Sequence, residues 1–220
     1  DGAVIADFAV RSTMIQQQVT RLGKKAGGQA VMDPALLELV TALEEKPHAV
    51  LGNFDPAFLK VPQEALISSM RDHQKYFHVV DGKGALLPAF ITVSNIRSRT
   101  PARVRTGNER VLNARLADAK FFWETDAIQP LSARTKALEN VLFHHALGSL
   151  AGKTRRIEKL SAKIAQAVGA PAAACVRAAS LCKADLVSGM VGEFPDLQGI
   201  MGRYLARHDG EPAAVARAIE

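Results

Sequence analysis

The sequence predicts an α+β protein in which a mixed helix-and-strand domain, residues 1–126, is followed by an all-helical domain, residues 127–220. Three observations support this prediction. Apolar residues recur three or four apart over residues 4–25, as on one face of an amphipathic helix. Short apolar runs bounded by turn residues follow between residues 49 and 93, a pattern typical of strands. From Pro101 onward the helical spacing returns.

The N-terminal part predicts a helical hairpin. The first helix is expected to end near Lys25, ahead of two consecutive glycines. Asp33 then supplies an N-cap, and Pro34 suits the first helical position because the amide hydrogen it lacks would have no partner there. This second helix is expected to run through Leu43.

The middle of the chain predicts four short strands separated by turns and one helix. The strands are expected at residues 49–51, 58–59, 76–80 and 86–93. Asp81-Gly82 separates the last two and tolerates positive φ, so these strands are predicted to form a hairpin. Pro62 is expected to begin a helix that continues to about Asp72.

The second half predicts helices throughout. One helical stripe carries Leu112, Leu116, Ala119 and Trp123, and we interpret it as core. Breaks are expected only near residues 129–130, 169–171 and 194–195.

Composition restricts the possible functions only loosely. The net charge of +6 and the pI near 9.5 permit an anionic partner without demonstrating one. Cys175 and Cys182 lie seven residues apart on a predicted helix, so we expect buried thiols rather than a disulfide or a metal site. No apolar run approaches the roughly 20 residues of a membrane span, and we expect a cytoplasmic protein. Because it begins at Asp1 rather than Met, the chain is interpreted as an internal piece of a longer protein.

Four groups of short sequence strings carry a family resemblance in their order and spacing. They are residues 72–77 (DHQKYF), 87–95 (LPAFITVSN), 107–112 (GNERVL) with 115–119 (RLADA), and 183–186 (KADL) with 193–194 (EF) and 198–202 (QGIMG). Together they resemble the β subunit family of bacterial heterotetrameric glycyl-tRNA synthetases over essentially the whole chain.

The resemblance implies an enzyme of two α and two β subunits that joins glycine to its tRNA using ATP and Mg. The catalytic core of this family lies in the α subunit, whereas the β subunit serves tRNA recognition. The mixed part resembles the B3/B4 module of phenylalanyl-tRNA synthetase, and the helical part resembles the start of an HD-type domain. We therefore expect glycine tRNA and the α subunit as partners, and no catalytic residue or cofactor within this chain.

Two basic stretches are candidates for RNA binding. They are Arg97, Arg99, Arg103, Arg105 and Arg110 in the first stretch, and Lys153, Arg156, Lys159 and Lys163 in the second. Guanidinium groups suit phosphate because their planar donors can bind two oxygens at once. A solvated face is the competing interpretation. Arg115 and Asp118 in particular can pair on one helix, and residues 157–168 supply an apolar face that we expect opposite the second basic stretch.

Polar residues near a predicted helix-to-strand junction indicate a pocket. The candidate residues are His73, Gln74, Lys75, Asn95 and Asn108. Such junctions often gather polar side chains around a ligand. The resemblance to the phenylalanyl-tRNA synthetase module, which hydrolyses mischarged tRNA, implies editing as one use of such a pocket. The same residues can instead order loops by local hydrogen bonds.

An HD-type metal-dependent phosphohydrolase is the alternative from another class of function, and a pure scaffold is a third. His144-His145 offers a first metal ligand, but residues 183–185 read Lys-Ala-Asp where a His-Asp pair is expected. Since an ammonium group is a poor neighbour for a cation, we predict no metal site. The chain also lacks the glycine-rich phosphate loop and the serine nucleophile elbow.

Overall fold

A computed structural model describes residues 4–220. The chain divides into two compact units, the first ending at Lys120 and the second running from Phe121 to Glu220. The first unit mixes helices with a four-stranded sheet and the second is mainly helical, which confirms the α+β prediction. The predicted domain boundary after residue 126 coincides with the end of a helix and stays a prediction.

The first unit contains three α-helices, four strands and most of a fourth α-helix among its described residues, besides a 3₁₀ helix and a π-helical turn. In chain order the α-helices and strands are α1 (Phe8–Lys25), β1 (Gln29–Ala30), α2 (Pro34–Leu43), β2 (His48–Asn53), α3 (Gln63–Ser68), β3 (Phe77–Val80), β4 (Leu86–Ser94) and α4 (Pro101–Asp126). Asp7 and Asp33 cap α1 and α2 by accepting hydrogen bonds from the N–H groups of Val10 and Leu36. The two predicted helices are therefore confirmed, and the short strand β1 lies between them.

The four strands form an antiparallel sheet in the order β1-β3-β4-β2. Within the predicted hairpin, Phe77 pairs with Ile91 and His78 with Phe90. Asp81 closes the turn, because its Oδ1 accepts hydrogen bonds from the N–H groups of Lys83 and Ala85. The hairpin prediction is confirmed.

Helices α1 and α2 cover one face of this sheet. Ile15 of α1 and Val40 of α2 pack in a common core with Phe77, Val79 and Ile91 of the hairpin strands. These side chains are fully or almost fully buried. Burial of apolar surface on this scale is the main favourable contribution to folding.

Two local predictions in this unit were wrong or incomplete. Phe58 and Leu59 lie in a 3₁₀ helix, Pro56–Lys60, rather than in a strand. Asp55 caps that helix by accepting from the N–H of Ala57, and proline at the first position fixes the helical φ. The short strand β1 was not predicted, because two residues are too few to show a sequence pattern.

Helix α4 packs through the stripe that the sequence predicted. Leu112, Leu116 and Ala119 are fully buried. On the adjoining face, Glu109 Oε1 accepts a hydrogen bond from the N–H of Asn53, at the end of β2. This end of the strand edge is therefore occupied by a side chain of the helix rather than left open to another chain.

The second unit is mainly helical, with one small hairpin. After α4 it contains α5 (Leu131–Arg134), β5 (Leu142–His144), β6 (Gly148–Ser149), α6 (Leu150–Val168), α7 (Ala172–Leu181), α8 (Gly189–Glu193), α9 (Ile200–His208) and α10 (Ala213–Ile219). The prediction of helix throughout was wrong for β5 and β6. Gly148, at a φ of 80°, permits the tight return between them, which a helical period does not reveal.

The core of this unit forms where α5, α7, α9 and α10 meet. Leu131, Leu181 and Leu205 are almost fully buried there, and Trp123 is partly buried beside them. The Trp123 ring contacts Tyr204 and His208 edge to face. Cys175 and Cys182 are free thiols that are only partly buried.

Candidate RNA-facing surface

The arginines of the first basic stretch are all exposed. Arg97 and Arg99 lie in the segment between β4 and α4, and Arg103, Arg105 and Arg110 lie on the first three turns of α4. The bend before α4 is stabilised locally, because Ser98 Oγ accepts a hydrogen bond from the N–H of Thr100.

Few of these cations are neutralised by acidic partners. Arg105 lies 3.9 Å from Glu109, and Arg115 lies 3.9 Å from Asp118, as the sequence suggested. Within residues 4–220, no ion pair joins Arg97, Arg99 or Arg110 to an acidic side chain. Exposed pairs of this kind contribute little energy, so the stretch keeps a strong positive potential.

Two of the arginines share one face of α4. Arg103 and Arg110 are seven residues apart, which places them within about 20° of each other on a helix of 3.6 residues per turn. Gly107 lies between them, and a Cβ atom there would meet nothing within 4 Å. A phosphate backbone can therefore approach the helix closely between two guanidinium groups.

The four basic residues of α6 differ in their contacts, although the sequence suggested one uniform basic face. Lys159 and Lys163 are exposed. By contrast, Lys153 Nζ lies 3.8 Å from the centre of the Phe143 ring, and Arg156 donates from Nη1 to the carbonyl oxygen of Leu147 at 3.2 Å. Lys153 and Arg156 thus also hold the β5–β6 hairpin against α6.

The apolar face of α6 does not lie where the sequence predicted. Leu160, Ile164 and Val168 are exposed by 58%, 53% and 70%. Leu150, Ala151, Thr154 and Ala165 form the buried face instead. The exposed apolar residues lie about a quarter turn from that buried face and beside the basic residues, not opposite them.

Two of the five predicted pocket residues, Asn95 and Asn108, are engaged in hydrogen bonds within the chain. Asn95 Oδ1 accepts hydrogen bonds from the N–H groups of Glu45 and Lys46, and Asn108 joins the Tyr76 hydroxyl to the carbonyl oxygen of Val104. Both asparagines therefore join segments that are distant in the sequence.

Only Lys75 of that group lines a described cavity, and His73 is exposed. This cavity of about 270 Å³ is also lined by Asp33, Arg71 and Asp72 together with aliphatic groups of α2. Lys75 has a φ of 60°, which is unusual for a residue other than glycine, and its Nζ donates to the carbonyl oxygen of Asp72 at 2.5 Å.

The charges around this cavity are largely paired. Arg71 Nε lies 2.7 Å from Asp72 Oδ1, and Arg71 Nη1 lies 4.0 Å from Asp33. Burial raises the pKa of Asp72, but hydrogen bonds from Arg71 and Ser68 outweigh it and lower the pKa overall. The arrangement fixes the junction between α3 and β3 and offers few free groups to a ligand.

A buried histidine lies behind the same cluster. Burial, and to a smaller extent the positive charge of Arg71, lower the pKa of His78 to about 4. Its imidazole is therefore neutral at physiological pH. No sequence pattern indicates this state, because it depends on the neighbours that folding brings together.

Two buried carboxylates in the second unit were also missed by sequence reasoning. Asp126 lies 3.2 Å from Arg134 and accepts hydrogen bonds from the N–H groups of Gly189 and Met190. Asp185 Oδ2 accepts from the N–H groups of Gly199 and Gly202 at the start of α9. These roles are structural and follow from contacts between residues distant in sequence.

The arrangement of Asp185 bears on the HD-type alternative. Burial raises the pKa of this carboxyl group, although the two N–H donors oppose the shift. His144 is exposed, and its Nδ1 accepts a hydrogen bond from the N–H of Ala146. Over residues 4–220, no three His, Cys, Asp or Glu side chains gather in a group able to hold a metal ion.

Comparison with known proteins identifies the family. The model of the glycyl-tRNA synthetase beta subunit family matches residues 1–220. This chain belongs to that family. The glycine–tRNA ligase beta subunit of Marinobacter nauticus is 51% identical over 220 residues, covering 100% of this chain and 32% of that protein.

Other relatives show the same relation. The beta subunit of Chromohalobacter salexigens is 52% identical over 216 residues, and that of Citrifermentans bemidjiense is 51% identical over 217 residues. Each alignment covers 98% of this chain. The chain spans about a third of the length of the relatives it matches. The predicted family is confirmed.

No helix within residues 4–220 combines the length and the apolar character that crossing a membrane requires.

Proposed function

We propose that this chain is a part of a glycine–tRNA ligase that binds tRNA and helps to join the subunits, while the aminoacylation chemistry lies outside it. Its family membership supports the assignment to this enzyme, since the relatives are named as beta subunits of glycine–tRNA ligases. The complete enzyme would be a cytoplasmic heterotetramer with an α subunit and would join glycine to tRNA using ATP and Mg.

One observation carries the tRNA-binding part of the proposal. Five exposed arginines are concentrated between Arg97 and Arg110, and Glu109 is their one acidic neighbour within 4.0 Å in the described part of the chain. Each cation that neutralises a phosphate releases a counterion, so this stretch favours a polyanion in a salt-dependent way. Lys159 and Lys163 of α6 provide a second exposed cationic surface, with Lys153 and Arg156 beside it.

The described residues provide little that fits the chemical step itself. The polar groups at the α3–β3 junction are paired with one another, and no metal-binding group gathers within residues 4–220. We therefore assign ATP and Mg to other parts of the enzyme. The described residues bind and position tRNA in this proposal and transfer no proton or acyl group.

The salt dependence of tRNA binding tests this proposal in the complete enzyme. Replacement of Arg99, Arg103 and Arg110 by glutamine should weaken binding and reduce the slope of log K against log salt by about 0.7 to 0.9 for each phosphate that is no longer neutralised. The turnover number with saturating tRNA should change little, because no replaced group contacts the reacting atoms.

A charge-matched variant provides the control. Lys60, Lys83 and Arg217 are also exposed, and replacing them by glutamine removes the same net charge. If both variants lose affinity and slope equally, only general electrostatics is at work, and the assignment of tRNA binding to residues 97–110 is wrong. If neither changes, the chain acts as a scaffold, and the tRNA-binding proposal is wrong.

A further inference from the structure

The apolar stripe of α6, which we define as Leu160, Ile164 and Val168, forms an exposed aliphatic surface. Its residues are spaced four apart, so they follow one another along one side of the helix. Their exposed fractions of 58%, 53% and 70% leave more than half of each residue open to solvent in the described structure. Scattered exposed aliphatic residues are common, but contiguous ones mark interaction surfaces.

The stripe continues toward the β5–β6 hairpin. Ile157 is partly buried and links Leu160 to Lys153, whose ammonium group lies over the Phe143 ring. Phe143 is itself 38% exposed. From residue 153 to residue 168 the surface is about 22 Å long, because an α-helix rises 1.5 Å per residue. This length matches about four turns of a second helix.

The hairpin is fixed at the end of this surface. Leu150 N–H donates to the carbonyl oxygen of Val141 at 2.8 Å, and Arg156 donates to the carbonyl oxygen of Leu147. Ser149 Oγ caps α6 by accepting from the N–H of Gly152. The surface is therefore preformed, which reduces the entropy lost when a partner binds.

Charge indicates which kind of partner fits. Arg156 borders the stripe on the side away from the buried face, and Lys153 lies within it. Glu158 projects toward the buried side, where it is partly covered. A second copy of this surface would bring like charges together, so self-association is disfavoured. An acidic flank would complement these cations.

We propose that the apolar stripe of α6 is the docking surface for an amphipathic helix of a partner subunit, with aliphatic residues along its contact face and acidic residues at its flank. This inference rests on the proposed role in joining subunits and identifies the surface that serves it. Lys159 and Lys163 point further around α6, so they stay open to RNA while the stripe is covered.

The association of the full-length beta subunit with its partner subunit tests the inference. Leu160→Ser, Ile164→Asn and Val168→Thr together should weaken association about a hundredfold, because the contact loses the burial of three aliphatic side chains. Sedimentation of the mixed subunits measures the change. The affinity for tRNA and its salt slope, measured on the same variant, should stay as in the wild type.

A matched control separates docking from general loss of apolar surface. Leu43→Ser, Ile96→Asn and Val111→Thr remove the same residue types from positions that are 58%, 64% and 47% exposed. This control should leave association unchanged.

A single position tests the charge of the partner without any risk to the core. Leu160 is 58% exposed, lies in the middle of α6 and is about 40° from Arg156 around the helix, so the chain should accept Leu160→Glu and Leu160→Lys equally well. Glutamate should repel an acidic flank and weaken association more than lysine does. Equal effects, or a larger effect of lysine, would contradict the acidic partner.

Three other outcomes overturn the inference. Unchanged association in the triple variant shows that the stripe is not the docking surface. A lower unfolding temperature of the isolated subunit with unchanged association shows that another segment of the same polypeptide covers the stripe. Weaker tRNA binding with unchanged association assigns the stripe to RNA. None of these results bears on the tRNA-binding role of residues 97–110, which the charge-matched variants test separately.

Discussion

Helices α4 and α6 both carry basic residues and an apolar stripe, yet they bury different parts of their surface. On α4 the stripe with Leu112 and Leu116 is fully buried, and the arginines project into solvent. On α6 the stripe with Leu160 and Ile164 is exposed, and the helix packs through another face. Helical periodicity therefore locates an apolar face but does not say what covers it.

The ends of the two helices differ in the same way. Asp126, the last residue of α4, is buried against Arg134 and accepts two backbone N–H groups at the start of α8. Val168, the last residue of α6, is 70% exposed. The end of α4 is therefore fixed by tertiary contacts, whereas α6 ends at an open surface.

The largest effect is expected at Asp126. Replacement of Asp126 by alanine should lower the free energy of unfolding by about 3 to 5 kcal/mol, because the buried guanidinium of Arg134 loses its carboxylate partner and two N–H groups lose their acceptor. Arg134 keeps only its hydrogen bond to the carbonyl oxygen of residue 126. Urea denaturation of the chain measures this loss. Asp118→Ala, which removes the exposed partner of Arg115 on the same helix, is the control and should cost less than about 1 kcal/mol.

A matched pair of leucines tests the comparison directly. Leu116→Ala in α4 should cost about 2 to 5 kcal/mol, because it removes a fully buried side chain and leaves a cavity. Leu160→Ala in α6 should change the stability of the chain by about 0.5 kcal/mol or less. Similar costs at both positions would show that the stripe of α6 is covered after all.

The buried His78 of the first unit can be tested through the pH dependence of stability. The pKa of His78 falls from 6.5 to about 4 on folding, so its stabilising contribution is present above about pH 6.5 and is lost as the pH falls toward 4. The loss should be on the order of 3 kcal/mol. Denaturation curves across this pH range measure it, and His78→Gln should flatten that part of the profile. A wild-type chain equally stable at about pH 4.5 and pH 7 would contradict the burial of a neutral imidazole.

Much of the fold was predictable because its signals are local. The cap at Asp33-Pro34, the turn at Asp81-Gly82 and the stripe of α4 each depend on neighbouring residues or on one helical period. The short hairpin at β5 and β6 was not predictable, because its strands have three and two residues. The 3₁₀ helix at Phe58 was misread because an apolar pair fits either structure.

The candidate site was predictable only as a set of charges. The sequence identified Arg97 to Arg110 as basic, and the structure adds that the arginines are exposed and that Arg103 and Arg110 share a face of α4. For Asn95 and Asn108 the sequence left open a pocket or an ordering role by hydrogen bonds, and it did not show that Glu45 and Tyr76 are their partners. Such partners come from distant parts of the chain, so a linear pattern does not contain them.

Crosslinking of glycine tRNA to the assembled enzyme, with the crosslinked peptides mapped, tests the tRNA-binding proposal most directly. We expect crosslinks within residues 97–110 of this chain and, more weakly, at Lys159 and Lys163, with none at Leu160, Ile164 or Val168. Crosslinks found only outside this chain would contradict its proposed tRNA binding. The chain would then act only as a scaffold.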